Sequence, residues 1–165
     1  MPGKSKPASA AVVKKKPPAP TPVIDNRRAR YEYEWLEQFE VGIALTGTEV
    51  KSVRTGQISL GEAYARIRDG ELWLLSMRIP PYKEGSFSNV DPDRPRKLLM
   101  HRKDIDRLAG RLSEKGLTLI PTRLYFKRGI VKLSIALARG KKLWDKRRDE
   151  KDRDVAREIA RAVQR

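Results

Sequence analysis

The stretch A-Y-A-R-I-R-D-G-E-L-W-L-L-S-M-R-I, from Ala63 to Ile79, decides the fold. Two β-type runs flank Asp69-Gly70, and both positions of an Asp-Gly turn tolerate the positive φ that a tight hairpin requires. The spacing predicts two antiparallel strands. A second pair follows the same logic: Leu117 to Lys127 and Ile130 to Ala138 flank Arg128-Gly129, with Val131, Leu133, Ile135 and Leu137 alternating after the turn.

Working outward, Tyr31, Tyr33 and Trp35 alternate with Glu32 and Glu34, and Phe39, Val41, Ile43 and Leu45 continue a period of two. This reads as one long bent strand or two, with Gly42 at a bend and Gly47 at an end. Thr48 is placed to cap a two-turn helix that carries Val50 and Val53 and closes at Gly56. Pro80 to Arg96 contains four prolines and reads as a long loop. From Arg102 to Lys115, Ile105, Leu108, Ala109 and Leu112 fall at i, i+3, i+4 and i+7, and Gly116 stands at the stop. Five or six strands in about 110 residues, with a short and a longer helix, favour a mainly β fold, a small closed antiparallel barrel of the OB type.

The chain has 165 residues and a formal charge of +16 from 37 basic and 21 acidic side chains. One domain with tails is expected at that length. Residues 1–30 carry +7, residues 31–138 carry +4 and residues 139–165 carry +5, so the excess lies toward the two ends. Such a balance points to a polyanionic partner, nucleic acid first. Residues 1–25 hold six of the eleven prolines and five lysines without periodicity, which predicts a disordered basic tail. With no cysteine, neither a disulfide framework nor a thiolate metal site is available. No run approaches the roughly 20 apolar residues of a membrane span, and Ala8 to Val13 is too short for a signal peptide's core. A soluble cytoplasmic monomer without cofactor or metal is expected.

Catalytic signals are sparse. His101 is the sole histidine and lies beside a helix start, and Glu32, Glu34 and Glu37 read as solvent-facing strand residues. Asp91 and Asp93 keep a two-metal RNA nuclease in view, but no convergent acidic set accompanies them. No phosphate-cradling glycine pattern occurs. The reading is a non-enzymatic RNA-binding module, with a generic rRNA-binding protein of the translation apparatus as its rival.

Arg139 to Arg148, R-G-K-K-L-W-D-K-R-R, places five Lys or Arg side chains after Gly140, interrupted by Leu143, Trp144 and Asp145. Phosphate-seeking charge and a flat stacking surface together suit RNA, although a Lys/Arg run after a strand is also an ordinary solvated terminus. In the following residues Val155, Ile159 and Val163 recur every four positions, a stripe too narrow for a stable isolated helix, so helix formation is expected on binding.

Four segments, in order, resemble a known family: N-R-R-A-R-Y-E-Y at Asn26 to Tyr33, F-E-V-G-I-A-L-T-G-T-E-V-K-S-V-R at Phe39 to Arg54, R-K-L-L at Arg96 to Leu99, and A-R-G-K-K-L-W-D-K-R at Ala138 to Arg147. They are similar to the small protein B (SsrA-binding protein) family of bacterial trans-translation. The resemblance implies an OB-fold body over residues 26–139 that holds the tRNA-like part of transfer-messenger RNA. It further implies delivery with elongation factor Tu to stalled ribosomes. By motif, the RNA-contacting positions fall on Asn26, Arg28, Tyr33, Glu40, Leu98 and Lys132. A carboxylate such as Glu40 accepts base N–H donors that a cation cannot. The tail, residues 140–165, is expected to probe the small-subunit decoding centre and the empty message channel through Gly140, Lys141, Lys142, Trp144, Asp145, Lys146 and Arg147, becoming helical there. The family often has histidine where Trp144 stands. Tryptophan keeps a stacking surface worth roughly 1–3 kcal/mol but offers no hydrogen-bond acceptor.

Overall fold

Asp69 and Gly70 take φ of 51° and 71°, and Arg128 and Gly129 take 51° and 80°, so both turns form at the expected residues. The first joins Tyr64–Arg68 to Glu71–Leu75; the second joins Leu117–Lys127 to Ile130–Gly140. The structure, a computed structural model, describes residues 21–163.

Among the described residues the fold is mainly β, one sheet of seven antiparallel strands with four α-helices and a short 3-10 turn at Ser86–Ser88. In chain order these are β1 (Ile24–Asp25), α1 (Arg27–Glu32), β2 (Tyr33–Ile43), α2 (Gly47–Thr55), β3 (Tyr64–Arg68), β4 (Glu71–Leu75), β5 (Arg96–Leu99), α3 (Arg102–Leu112), β6 (Leu117–Lys127), β7 (Ile130–Gly140) and α4 (Leu143–Val163). The strand order is β1-β6-β3-β4-β5-β2-β7, with β6 also pairing β7. Inward-facing side chains, among them Val41, Leu72, Leu74, Leu98, Leu119, Leu133, Ile135 and Leu137, form one core. Val53 of α2 and Ile105 and Leu108 of α3 pack against it. Full burial of each such aliphatic chain stabilises by about 1.5–3 kcal/mol.

Several boundaries differ from expectation. Tyr31 and Glu32 belong to a helix rather than to a strand, because Asn26 caps α1 and its side-chain oxygen accepts the Ala29 N–H at 3.0 Å. The long strand starts at Tyr33 and runs unbroken to Ile43 with an irregularity between Trp35 and Glu37. The cap of α2 is Thr46, not Thr48: Thr46 and Glu49 make a reciprocal capping box, and Gly47 opens the helix instead of ending a strand. Gly56, at φ 75°, closes α2 as expected. The helix from Arg102 ends at Leu112, before Lys115. Arg96, assigned to the loop, begins a strand.

The N-terminal boundary also moves. Ile24 and Asp25, expected in the disordered tail, pair with Leu124 and Arg123. Residues 1–20 lie outside the described residues. At the other end, Leu143–Val163 form a helix, α4, whose residues are exposed or half-exposed and whose apolar stripe of Val155, Ile159 and Val163 is unpacked. Contacts near its start, described below, tie it to α1.

Behind the loop of residues 80–95 sits a buried ionic cluster. Arg96, 0% exposed, donates from Nε to Glu49 Oε1 at 2.9 Å and to the carbonyls of Met77, Arg94 and Pro92. Glu49, 4% exposed, also accepts from Arg94 at 3.0 and 2.5 Å and from the Thr46 backbone N–H at 2.8 Å. Burial by itself pushes the Glu49 carboxyl up, but the Arg94 and Thr46 hydrogen bonds and the Arg96 charge outweigh it and hold the carboxyl below its ordinary value. α2, β5 and the loop are thereby fixed to one another.

Candidate nucleic-acid interface

Alternation on β2, β7 and β6 sends one set of side chains into the core and the other outward. Glu40 lies opposite Ser134, Lys132 opposite both Gly42 and Tyr125, and Arg123 opposite Ser134. A contiguous polar face results. Glu40, Lys132, Gln38 and Leu99 line one groove in it. Gly42 permits this shape, since a Cβ there would come within 3.2 Å of the Leu99 Cβ.

Glu40 is the chemical centre of the groove. It accepts a hydrogen bond from Tyr125 Oη and a bifurcated pair from Lys127 Nζ at 3.0 and 3.1 Å. The Tyr125 and Lys127 hydrogen bonds, with the nearby Lys132 charge, hold its carboxyl below the usual carboxylate range. Conversely, burial and the Glu40 hydrogen bond push the Tyr125 phenol up. The result is a half-exposed, ionised acceptor set among cations, an arrangement that can accept N–H donors from outside the sheet.

The other expected contacts divide. Asn26 is buried and fully engaged: its amide donates to the Leu60 and Pro121 carbonyls, both at 2.9 Å, while its oxygen caps α1. It therefore builds the site and presents no spare donor. Arg28 is exposed but paired with Glu32 at 2.9 Å and with Glu62. Tyr33 is half-buried at the start of β2, packed against Ala29, Ile120, Ala136 and Ala138. Leu98 is 1% exposed in the core, whereas its neighbour Leu99 is 53% exposed. The side chain at the surface is Leu99, because the pairing of β5 with β2 and β4 turns Leu98 inward.

The basic segment after β7 also splits by role. Gly140 is the last residue of β7, opposite Tyr33. Lys141 is a clamp: its backbone N–H donates to the Glu32 carbonyl at 2.9 Å, and its ammonium reaches the Arg30 carbonyl and Asp149. The Lys142 carbonyl accepts the Asp145 and Lys146 N–H groups and so starts α4. Lys146 stands 5.7 Å from the Tyr31 ring. Trp144 is 62% exposed, and Lys142 and Arg147 are exposed beside it. An exposed indole thus stands in the first turn of α4, a few residues past the last strand.

The SmpB family model matches residues 23–165. The chain belongs to the SmpB family. Over 142 residues it is 56% identical to the SsrA-binding protein of Moorella thermoacetica, spanning 86% of this chain and 92% of that one. The SsrA-binding protein of Carboxydothermus hydrogenoformans is 52% identical over 141 residues, 86% of this chain and 95% of that one. A solved structure of tmRNA-SmpB at the center of the bacterial ribosome superimposes with a TM-score of 0.64 at 53% identity, covering 74% of this chain and 87% of its counterpart.

Within this SmpB framework, sequence reasoning missed Tyr125 and Lys127, which set the state of Glu40, and Tyr31, which holds the tail. The signal available was the two-residue spacing of Tyr125 and Lys127 before Arg128-Gly129, which puts them on one face of a strand; nothing local says that Glu40 of another strand reaches that face. Among the described residues no group of three His, Cys, Asp or Glu side chains is arranged to hold a metal ion. Asp91 instead accepts the Asp93 N–H at 2.9 Å, closing a turn, and His101 stands at the start of α3 without a side-chain capping bond. No helix among the described residues is long and apolar enough to cross a membrane.

Proposed function

We propose that the protein is a non-enzymatic, cytoplasmic RNA-binding protein that holds the tRNA-like part of transfer-messenger RNA on the outer face of β2, β7 and β6. It brings that RNA, with elongation factor Tu, to ribosomes stalled on messages without a stop codon. The tail then probes the decoding centre and empty message channel through Trp144, Lys142, Lys146 and Arg147. The body acts as a closed OB-like barrel: β2, β7, β6, β3, β4 and β5 pair in a circuit in which each strand has two neighbours. The observation that carries the reading is Glu40, an ionised acceptor on an exposed cationic face, in a chain whose relatives are SsrA-binding proteins. Phosphate contacts alone supply affinity without discrimination; an acceptor aimed at base edges supplies choice.

The test is RNA recovered with the tagged protein from cells and sequenced, beside peptide tagging on stalled ribosomes. One dominant transfer-messenger RNA species is expected, retained on deletion of residues 140–165 while tagging is lost. A spread of rRNA fragments, or equal loss of both activities, overturns the reading. Shortening of labelled RNA by the purified protein with Mg²⁺ or Mn²⁺ would instead reveal a nuclease.

A further inference from the structure

A second cavity lies between α1, the β2–β7–β6 face and α4. Arg27, Arg30, Arg123 and Arg153 line it around Trp35, against one carboxylate among the described residues, that of Asp25. Asp25 is occupied by Arg123 at 2.6 Å, and the Arg30 guanidinium sits 5.6 Å from the Trp35 ring, which leaves its N–H edges available. Arg153 comes from the tail. Its guanidinium stands 5.8 Å from the Tyr31 ring, and the Tyr31 hydroxyl donates to Glu150 at 2.7 Å. With the Lys141 clamp on Glu32, Arg30 and Asp149, these contacts lay the first turns of α4 along α1.

We infer that this cleft is a backbone-phosphate site for the bound RNA and that the tail completes it by supplying Arg153. The inference rests on the RNA-binding reading above and deepens it. Gln38 lines both the cleft and the Glu40 groove, and Ser134 lines the cleft while lying opposite Glu40, so one RNA strand can cross both. Planar guanidinium forks match a phosphodiester in two-point contact. An acidic polypeptide would meet the same forks, but it would not use the adjoining Glu40 acceptor, which repels carboxylates. The tail is then a holder as well as a probe: while α4 lies on α1 it adds one phosphate contact, and when it leaves for another partner that contact is released.

The experiment uses the full chain and a transcribed tRNA-like fragment of transfer-messenger RNA, with affinity measured by anisotropy across a salt series. Arg153→Ala is expected to lower the slope of log affinity against log salt by about 1, the signature of one lost phosphate contact. Arg153→Lys keeps the charge and the slope. Tyr31→Ala frees α4 and lowers the slope equally, and the double variant loses no more than either single one. Arg161→Ala, on the same helix outside the cleft, leaves the slope unchanged. An unchanged slope for Arg153→Ala while the wild type binds normally overturns the phosphate site alone. Failure of the wild type to bind the fragment overturns both readings. Weakened binding of polyglutamate with RNA binding untouched assigns the cleft to acidic protein and overturns the proposal.

Discussion

Glu49 and Glu40 are the same side chain in two regions, each held ionised by neutral and cationic hydrogen-bond donors together, and they do opposite work. Glu49 and its partner Arg96 are sealed from water beneath the loop of residues 80–95. Every oxygen lone pair that matters there is used by Thr46, Arg94 or Arg96, so the charge fixes three elements and recognises nothing external. Glu40, partnered by Tyr125 and Lys127, stays half-exposed on the sheet. Water or an RNA base competes for its oxygens, and the same chemistry becomes recognition. Burial, more than residue type, separates a structural carboxylate from a reading one.

The comparison breaks most visibly at Glu49. Replacing it with alanine strands Arg96 and half-buried Arg94 as uncompensated cations, and the expected loss is about 3–5 kcal/mol of stability by chemical denaturation. A loss as small as that of a surface substitution would mean the cluster is wet. Acid probes the same centre more gently. Because the folded-state Glu49 carboxyl lies below its ordinary value of 4.5, its contribution is fully present above about that pH. It fades as pH falls through the lowered folded value. The difference in stability between wild type and Glu49→Gln should therefore be flat at neutral pH and shrink in acid.

Glu40 predicts the reverse pattern. Glu40→Gln is expected to leave the melting curve in place while lowering affinity for the tRNA-like fragment about tenfold, the scale of a lost base-edge contact. Affinity for unrelated RNA at matched salt should hold or rise, since a negative charge has left the face. Parallel losses for both RNAs would make Glu40 a positioning group for Lys127 instead of a reader.

How much of this was legible follows from range. The two Xaa-Gly turns and the alternation of β7 are local, and they placed four strands and the face of Lys132. α1 was hidden because Tyr31, Tyr33 and Trp35 alternate like a strand. The counter-signal was Asn26, whose cap also depends on carbonyls of Leu60 and Pro121 far along the chain. The Glu49–Arg96 pair spans 47 residues and follows from no local pattern. Two adjacent leucines, Leu98 and Leu99, carry no alternation, so only the neighbouring strands could decide which of them faces outward. The tail's charge was plain, whereas its docking on Tyr31 required knowing that Tyr31 is helical.

Trp144 carries the smallest expected effect on the fold and sharpens the contrast furthest. With 62% of its surface exposed, its removal takes almost nothing from the core. Trp144→Ala should thus melt with the wild type and bind the tRNA-like fragment normally, since the indole does not line the arginine cleft. Peptide tagging should nevertheless fall, by the roughly 1–3 kcal/mol that one base–aromatic stack contributes. Trp144→His separates two accounts of that loss. Imidazole restores a hydrogen-bond acceptor with less stacking area; lower tagging than wild type then assigns the ring to stacking, and equal or higher tagging assigns it to hydrogen bonding. Either outcome with unchanged stability keeps the tail's chemistry separate from the body's, whereas a shifted melting curve would show that Trp144 packs on the sheet in solution.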